Sequence, residues 1–121
     1  MGKIIGVAKL YSQILKNPVL ITKSYPENII INKCLKLEFY LVVPNRFWKL
    51  KDIEAIRIMY DEGDEILNIS FERLVYDKRL YLITLIVKFK NPGTKSIGII
   101  LNFGKRGGIK CKIIKIRVKN L

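Results

Sequence analysis

The chain has 121 residues, half of them hydrophobic and 27% charged, with a formal net charge of +13 and no histidine. Such a length suits one domain with a real core and excludes two independent ones. The lack of histidine excludes His-based hydrolytic triads and the commonest nitrogen ligand for a metal, while the excess of cations points toward anionic partners.

In the opening segment, Ile4, Ala8, Tyr11 and Leu15 recur at intervals of four, three and four, with Lys9, Gln13 and Lys16 off the stripe. This spacing predicts one short amphipathic helix, ended by Asn17-Pro18 because proline cannot continue the hydrogen-bond ladder. The lysines interrupt the apolar run too often for a signal peptide or a membrane span, so a soluble cytoplasmic protein is expected. The basic flank of Lys3, Lys9 and Lys16 suits an interfacial helix, but the segment is short. Packing across an open end of the β-domain is the expected role, ahead of a subunit contact or a membrane surface.

From residue 18 onward the period changes to two. A first strand candidate is Ile29–Ile31, between Pro26 and Asn32. Leu35, Leu37, Phe39, Leu41 and Val43 then alternate with Lys36, Glu38, Tyr40 and Val42, giving a strand with one core face that Pro44-Asn45 ends. Trp48–Tyr60 fits a helix through Leu50, Ile53, Ile56 and Tyr60, and a strand through Ile56, Ile58 and Tyr60; a strand starting near Ile53 is preferred. Asp61-Glu62-Gly63-Asp64-Glu65 reads as a solvated hairpin turn, and its spacing does not match an EF-hand loop. Ile66–Leu74 is the next strand, Asp77-Lys78 a turn, and Leu80–Phe89, apolar on both faces at its start, a central strand. Asn91-Pro92-Gly93 turns the chain, Ile97–Phe103 is a strand, Gly104–Gly108 a turn, and Ile109–Val118 the last strand. Within it, Ile109, Cys111 and Ile113 give way to Ile114, Ile116 and Val118, which predicts a β-bulge at Ile113-Ile114.

About seven short strands with turns at roughly ten-residue spacing indicate an all-β, mainly antiparallel domain: a sandwich, with a small β-barrel as the alternative. One domain spans 1–121, with a helix over 1–17 and the β-structure over 18–121. The segment LITLIVKFKNPGTKSIGIILNFG, Leu82–Gly104, resembles the strand, Asn-Pro turn and strand unit of immunoglobulin-like domains. Among these it is most similar to the atypical late-embryogenesis-abundant, or water-stress, domains. The resemblance implies an immunoglobulin-like β-sandwich and brings no catalytic residues with it.

Cys34 and Cys111 are too distant in sequence for a local metal knuckle, which leaves a pair of buried thiols, the preferred reading, or one disulfide joining the sheets. No cofactor and no metal site are predicted.

The charge is unevenly placed. All ten acidic residues lie at or before Asp77, while Lys78–Leu121 carries twelve basic residues. The candidate contact residues are Lys105 and Arg106 on the last turn and Lys110, Lys112, Lys115, Arg117 and Lys119 on the last strand. With the bulge in place, the five strand cations share one outer ribbon at about 7 Å intervals, close to phosphate spacing. Such a ribbon serves first as a guard against edge-to-edge pairing, then as a polyanion site, then as a surface for an acidic protein. Trp48 reads as a core or loop anchor, and Phe89 and Phe103 as core. A negative Asp61–Glu65 tip opposite a positive ribbon would favour head-to-tail self-association. The function expected is a non-catalytic interaction or assembly module, acting on a protein partner or by self-association. The alternative is sequence-nonspecific nucleic-acid binding through phosphates. An enzyme would need carboxylates such as Glu38, Asp52 or Glu54 gathered in one pocket.

Overall fold

The computed structural model describes residues 18–45 and 47–120. Eight strands follow in chain order: β1 (Val19–Thr22), β2 (Asn28–Ile30), β3 (Cys34–Val42), β4 (Ala55–Met59), β5 (Glu65–Leu74), β6 (Asp77–Lys88), β7 (Gly93–Asn102) and β8 (Ile109–Lys119). Short 3-10 turns occur at Leu50–Asp52 and Gly104–Arg106. The strands form two four-stranded sheets, ordered β1-β3-β6-β5 and β2-β8-β7-β4. Every pairing is antiparallel except that of β2 with β8. This is the ABED and GFC division of the immunoglobulin fold, with the first strand split so that β1 and β2 join opposite sheets. The chain is an immunoglobulin-like β-sandwich, and two separate sheets decide against the closed barrel.

The period of two explains the core. Leu35, Leu37, Phe39 and Leu41 of β3, and Tyr81, Ile83, Leu85 and Val87 of β6, face Ile97, Ile99 and Leu101 of β7 and Ile114, Ile116 and Val118 of β8. All are buried, and each large aliphatic or aromatic side chain removed from water contributes about 1.5–3 kcal/mol. Strand β6 is central, as its two apolar faces predict. Phe89, Phe103 and Trp48 are core; Trp48 stands edge-on to Phe103, with centroids 5.7 Å apart and planes at 71°. The Trp48 carbonyl accepts from the Tyr81 hydroxyl at 3.2 Å and from Arg73 Nη2 at 3.4 Å, so an arginine on β5 and a tyrosine on β6 fix the β3–β4 connection.

Several expectations are corrected. The helix expected over 1–17 lies outside the described residues. The strand preferred near Ile53 is present as β4, from Ala55, and ahead of it Leu50–Asp52 forms a 3-10 turn with the Lys49 amide donating to Asp52 Oδ2 at 2.8 Å. Asp61–Glu65 is not a hairpin: β4 and β5 belong to different sheets, so the segment carries the chain from one layer to the other. Nor is it fully solvated, since Asp64 is buried and its Oδ2 lies 3.3 Å from Lys95 Nζ.

The bulge predicted at Ile113-Ile114 is absent. The β7–β8 register runs unbroken from Gly93↔Val118 to Asn102↔Ile109, and the irregularities fall in β5–β6 instead, at Ile66/Asn68 and Arg73/Leu74. The cysteines are neither buried nor bridged. Both are free and exposed, on the outward phases of β3 and β8. These faces belong to different sheets of the sandwich and look away from each other, which puts the two thiols beyond disulfide reach.

Candidate contact face

Without a bulge, the side chains of β8 keep strict alternation. Lys110 and Lys112 pair with Leu101 and Ile99 and so share the phase of the buried Ile114, Ile116 and Val118; Lys115, Arg117 and Lys119 share the opposite, outward phase with Ile109, Cys111 and Ile113. The five strand cations therefore do not form one ribbon. Three of them line the outer face of the β2-β8-β7-β4 sheet. Lys110 is half-buried and Lys112 exposed where the inward side of β8 opens to solvent. Lys105 and Arg106 belong to the 3-10 turn before β8, away from the outward three in the chain's register.

Directly paired residues share a face, so the register maps this outer surface row by row. One row is Ile113, Gly98 and Met59; the next is Cys111, Ile100 and Arg57; a third is Ile109, Asn102 and Ala55. On the other side of Ile113 come Lys115 beside Ser96, then Arg117 beside Thr94, then Lys119 beside Ile30 of β2. Ile113 is 50% exposed, Ile109 66% and Met59 42%. The sheet thus presents an apolar centre on its open side, bordered by Lys115, Arg117 and Lys119 along β8 and by Arg57 on β4. Gly98 shapes the centre: a Cβ there would lie 2.8 Å from Ile113 Cγ1 and 2.7 Å from the Lys112 carbonyl, so its absence lets Ile113 rest on the backbone of β7.

The edge of β8 adds a second feature. Strand β2 pairs with β8 only over Arg117–Lys119, through Asn28–Ile30, and Arg117 N–H donates to the Glu27 carbonyl at 2.8 Å. Among the described residues, 109–115 have a strand partner on the β7 side alone. An unpaired strand edge next to an apolar face can accept a further strand, and Lys110, Lys112 and Lys115 along it are the charged guards that discourage indiscriminate pairing.

Three cations elsewhere in the C-terminal third are paired locally. Lys95 is buried against Asp64, with Asp61 Oδ2 at 3.8 Å; Lys90 Nζ is 3.3 Å from Glu65, and Arg79 Nε is 3.3 Å from Asp77. Within the acidic Asp61–Glu65 segment, Lys95 thus engages Asp61 and Asp64 and Lys90 engages Glu65, so part of its charge is neutralised in place.

The carboxylates named for catalysis separate. Glu38 is on the outward phase of β3, its Oε1 3.3 Å from Lys23 Nζ, and this hydrogen bond raises the Lys23 pKa above its ordinary value. Asp52 and Glu54 do share an open depression of about 590 Å³ with Lys51, Phe103, Gly104 and Lys105. There Asp52 Oδ2 is engaged by the Lys49 amide, and Glu54 packs against Gly104, at φ +62, where a Cβ would collide with its carboxylate. Lys105 belongs to this depression. No group of three His, Cys, Asp or Glu side chains converges as a metal set, and no helix is long and apolar enough to cross a membrane, among the described residues. The alternation of β8 was readable in the sequence, but the apolar outward row was not, because Ile109, Cys111 and Ile113 look like core residues until the pairing fixes their side.

No family model and no curated protein matches the sequence. Among solved structures, the endo-beta-1,4-mannanase from Thermotoga petrophila is similar with a TM-score of 0.55 at 13% identity, over 98% of this chain and 23% of that one. The chain spans under a quarter of that enzyme, and the likeness shows the fold alone. An SrpA adhesin mutant from Streptococcus sanguinis has a TM-score of 0.49 at 6% identity, over 88% of this chain and 59% of that one. The BIgI domain of beta protein from S. agalactiae, bound to CEACAM1, has a TM-score of 0.46 at 11% identity, over 84% and 98% of the two chains.

Proposed function

We propose that this domain is a non-catalytic interaction module that docks a protein partner on the outer face of its β2-β8-β7-β4 sheet. The observation that carries this reading is the row of Ile109, Cys111 and Ile113 on the open side of β8, continued by Ile100 and Met59 and bordered by Lys115, Arg117, Lys119 and Arg57. A surface meant only for solubility would carry polar side chains at these alternate positions. An apolar centre with a charged rim is the anatomy of a protein contact, in which the centre supplies affinity and the rim supplies orientation and rate. The basic rim fits a partner with an acidic border. A net charge of +13 sets copies of this chain against each other, which favours a different, acidic protein over self-association.

Nucleic acid would use the same three outward cations without the apolar rows. A fluorescence-anisotropy titration of labelled single- and double-stranded nucleic acid, repeated across salt concentrations, separates the two. A protein-contact face predicts no tight binding near physiological salt, and little difference between the native chain and a Lys115→Gln, Arg117→Gln, Lys119→Gln variant. Tight binding with a log–log salt slope near about −3, lost in the triple variant, would replace the protein partner by a phosphate backbone.

A further inference from the structure

Strand register brings three connections to one end of the sandwich. Val42 pairs with Leu80, Leu74 with Asp77 and Ala55 with Asn102, so the β3–β4 connection, the β5–β6 tip at Val75-Tyr76 and the β7–β8 turn emerge side by side. The edge-on contact of Trp48 with Phe103 ties the first to the third, and the bonds from Arg73 and Tyr81 to the Trp48 carbonyl tie the first to the second. The four most exposed large hydrophobic side chains among the described residues lie on or beside these connections: Val75 at 94%, Phe47 at 69%, Ile109 at 66% and Tyr76 at 52%. Cations stand among them, with Lys49, Lys51, Lys78 and Lys105 all exposed. Of the acids nearby, Asp77 is buried against Arg79 and Asp52 holds the Lys49 amide, which leaves the cations in excess. Lys49, Leu50 and Lys51 line a depression of about 380 Å³ together with the half-buried Arg73 and the buried Tyr81. Arg73 Nε and Nη2 donate to neutral oxygens, the Tyr81 hydroxyl and the Trp48 carbonyl. Among the described residues, which include all ten acidic side chains of the chain, no carboxylate lies within ion-pair distance of Arg73. A guanidinium fixed by hydrogen bonds, partly withdrawn from water and with its charge unanswered, is prepared for an anion with paired oxygens.

We infer that this end of the sandwich docks on an anionic lipid surface, with Val75, Tyr76 and Phe47 entering the boundary between headgroups and acyl chains and a lipid phosphate seated against Arg73, Lys49 and Lys51. Apolar side chains on separate connections do not make the continuous centre that a protein contact uses, whereas a bilayer receives each of them without shape complementarity. The surrounding lysines are drawn to an anionic leaflet, where each cation near the surface is worth about fivefold in affinity. Their long stems let the ammonium groups stay at headgroup level while the apolar tips go deeper. With the strands upright on the membrane, the outer face of β8 stays in water, open to the protein partner proposed above.

The test is co-sedimentation of the full chain with vesicles of phosphatidylcholine alone and of phosphatidylcholine with phosphatidylglycerol at about 2:1. Three variants are compared: Phe47→Ser with Val75→Ser, Lys49→Gln with Lys51→Gln, and Lys115→Gln with Lys119→Gln, which removes the same charge from the β8 face. All six side chains are exposed, and far-UV circular dichroism checks that the fold is kept. The expected result is binding to the mixed vesicles and not to phosphatidylcholine alone, weakened at least about tenfold by either loop pair and less than about twofold by the β8 pair. A polarity-sensitive dye at Val75→Cys, with Cys34→Ser and Cys111→Ser, should shift to the blue on the mixed vesicles, and the same dye at Leu67→Cys, at the opposite end of β5, should not. Equal losses in the two lysine pairs would reduce the binding to net charge and overturn the proposal, as would binding unchanged by the Phe47 and Val75 substitutions. Absence of binding to the mixed vesicles overturns it too, and leaves the β8 face as a separate question. In that case, inorganic phosphate shifting the Arg73 Nε resonance would assign the depression to a free anion, and a protein adduct from a photoreactive residue at position 75 would assign this end to a protein partner.

Discussion

Lys95 sits on the inward phase of β7, paired with Ile116, and its ammonium meets Asp64 across the space between the layers. Asp64 in turn accepts from the Lys90 amide at 3.0 Å through Oδ1, so the ion pair pins the β4–β5 connection to the start of β7. Removing one member strands the other in a dry site, at a cost of about 3–5 kcal/mol, whereas neutral replacement of both is far cheaper. Lys95→Met should therefore lower the urea-derived unfolding free energy by about 3 kcal/mol. The double variant Lys95→Met, Asp64→Asn keeps an acceptor for Lys90 N–H and should recover at least half; a double variant no more stable than the single one would show that the pair is not what holds the connection. Tyr81 is a second such post. Its hydroxyl accepts from Arg73 Nε at 3.0 Å and Nη2 at 2.6 Å and donates to the Trp48 carbonyl. Tyr81→Phe removes three of these bonds and leaves Arg73 only its long contact with the Trp48 carbonyl, and equilibrium unfolding should show a loss of about 1–2 kcal/mol.

At the scale of elements, the strands were legible and their neighbours were not. Alternation located β3, β5, β6, β7 and β8 to within a few residues, because a strand with one wet face must alternate. Turn residues lay near the reversals too, though the expected turn at Asp77-Lys78 falls at Val75-Tyr76 and Asp77 opens β6; yet Asp61–Glu65 and Asn91-Pro92-Gly93 lead into the opposite sheet, and Gly104–Gly108 leads into a hairpin. A local signal says that the chain turns; which strand it then pairs with is decided by long-range packing. The expected bulge in β8 failed for a related reason. Hydrophobic residues on both phases suggest a slip in phase, whereas the strand keeps its phase and its outward Ile109 and Ile113 are exposed. Among the described residues, the edge at 109–115 lacks a second strand partner because β2 is short, and no local pattern specified that β2 would pair with β8. Its lysines should be measurable as guards: Lys112→Ile is expected to leave the fold intact and raise static light scattering at concentrations where the native chain stays clear. Scattering unchanged by the substitution would mean that the edge is protected by other means.

For the whole molecule, the segregation of acidic and basic residues along the sequence does not become a segregation in space. Antiparallel layers interleave early and late strands, so Lys95 and Lys90 from the basic third meet Asp64 and Glu65 from the mixed part, and Arg79 meets Asp77 within β6. What remains unmatched on the β8 face is small, three outward cations beside an apolar field, and that combination suits a protein with an acidic rim. The candidate residues were thus half legible in the sequence: Lys115, Arg117 and Lys119 fall together, Lys110 and Lys112 turn to the other phase, Lys105 lines a separate depression, and the isoleucines between the cations prove as informative as the cations. Site-specific photo-crosslinking tests the contact face most directly. A photoreactive residue replaces Ile113 in the full chain, expressed in cells of its own source, with Thr84 on the outward face of the opposite sheet as the control position. A docking face predicts one discrete protein adduct from position 113, absent from position 84 and lost when Lys115, Arg117 and Lys119 are changed to glutamate. The same adducts from both positions, or adducts to nucleic acid alone, would contradict it.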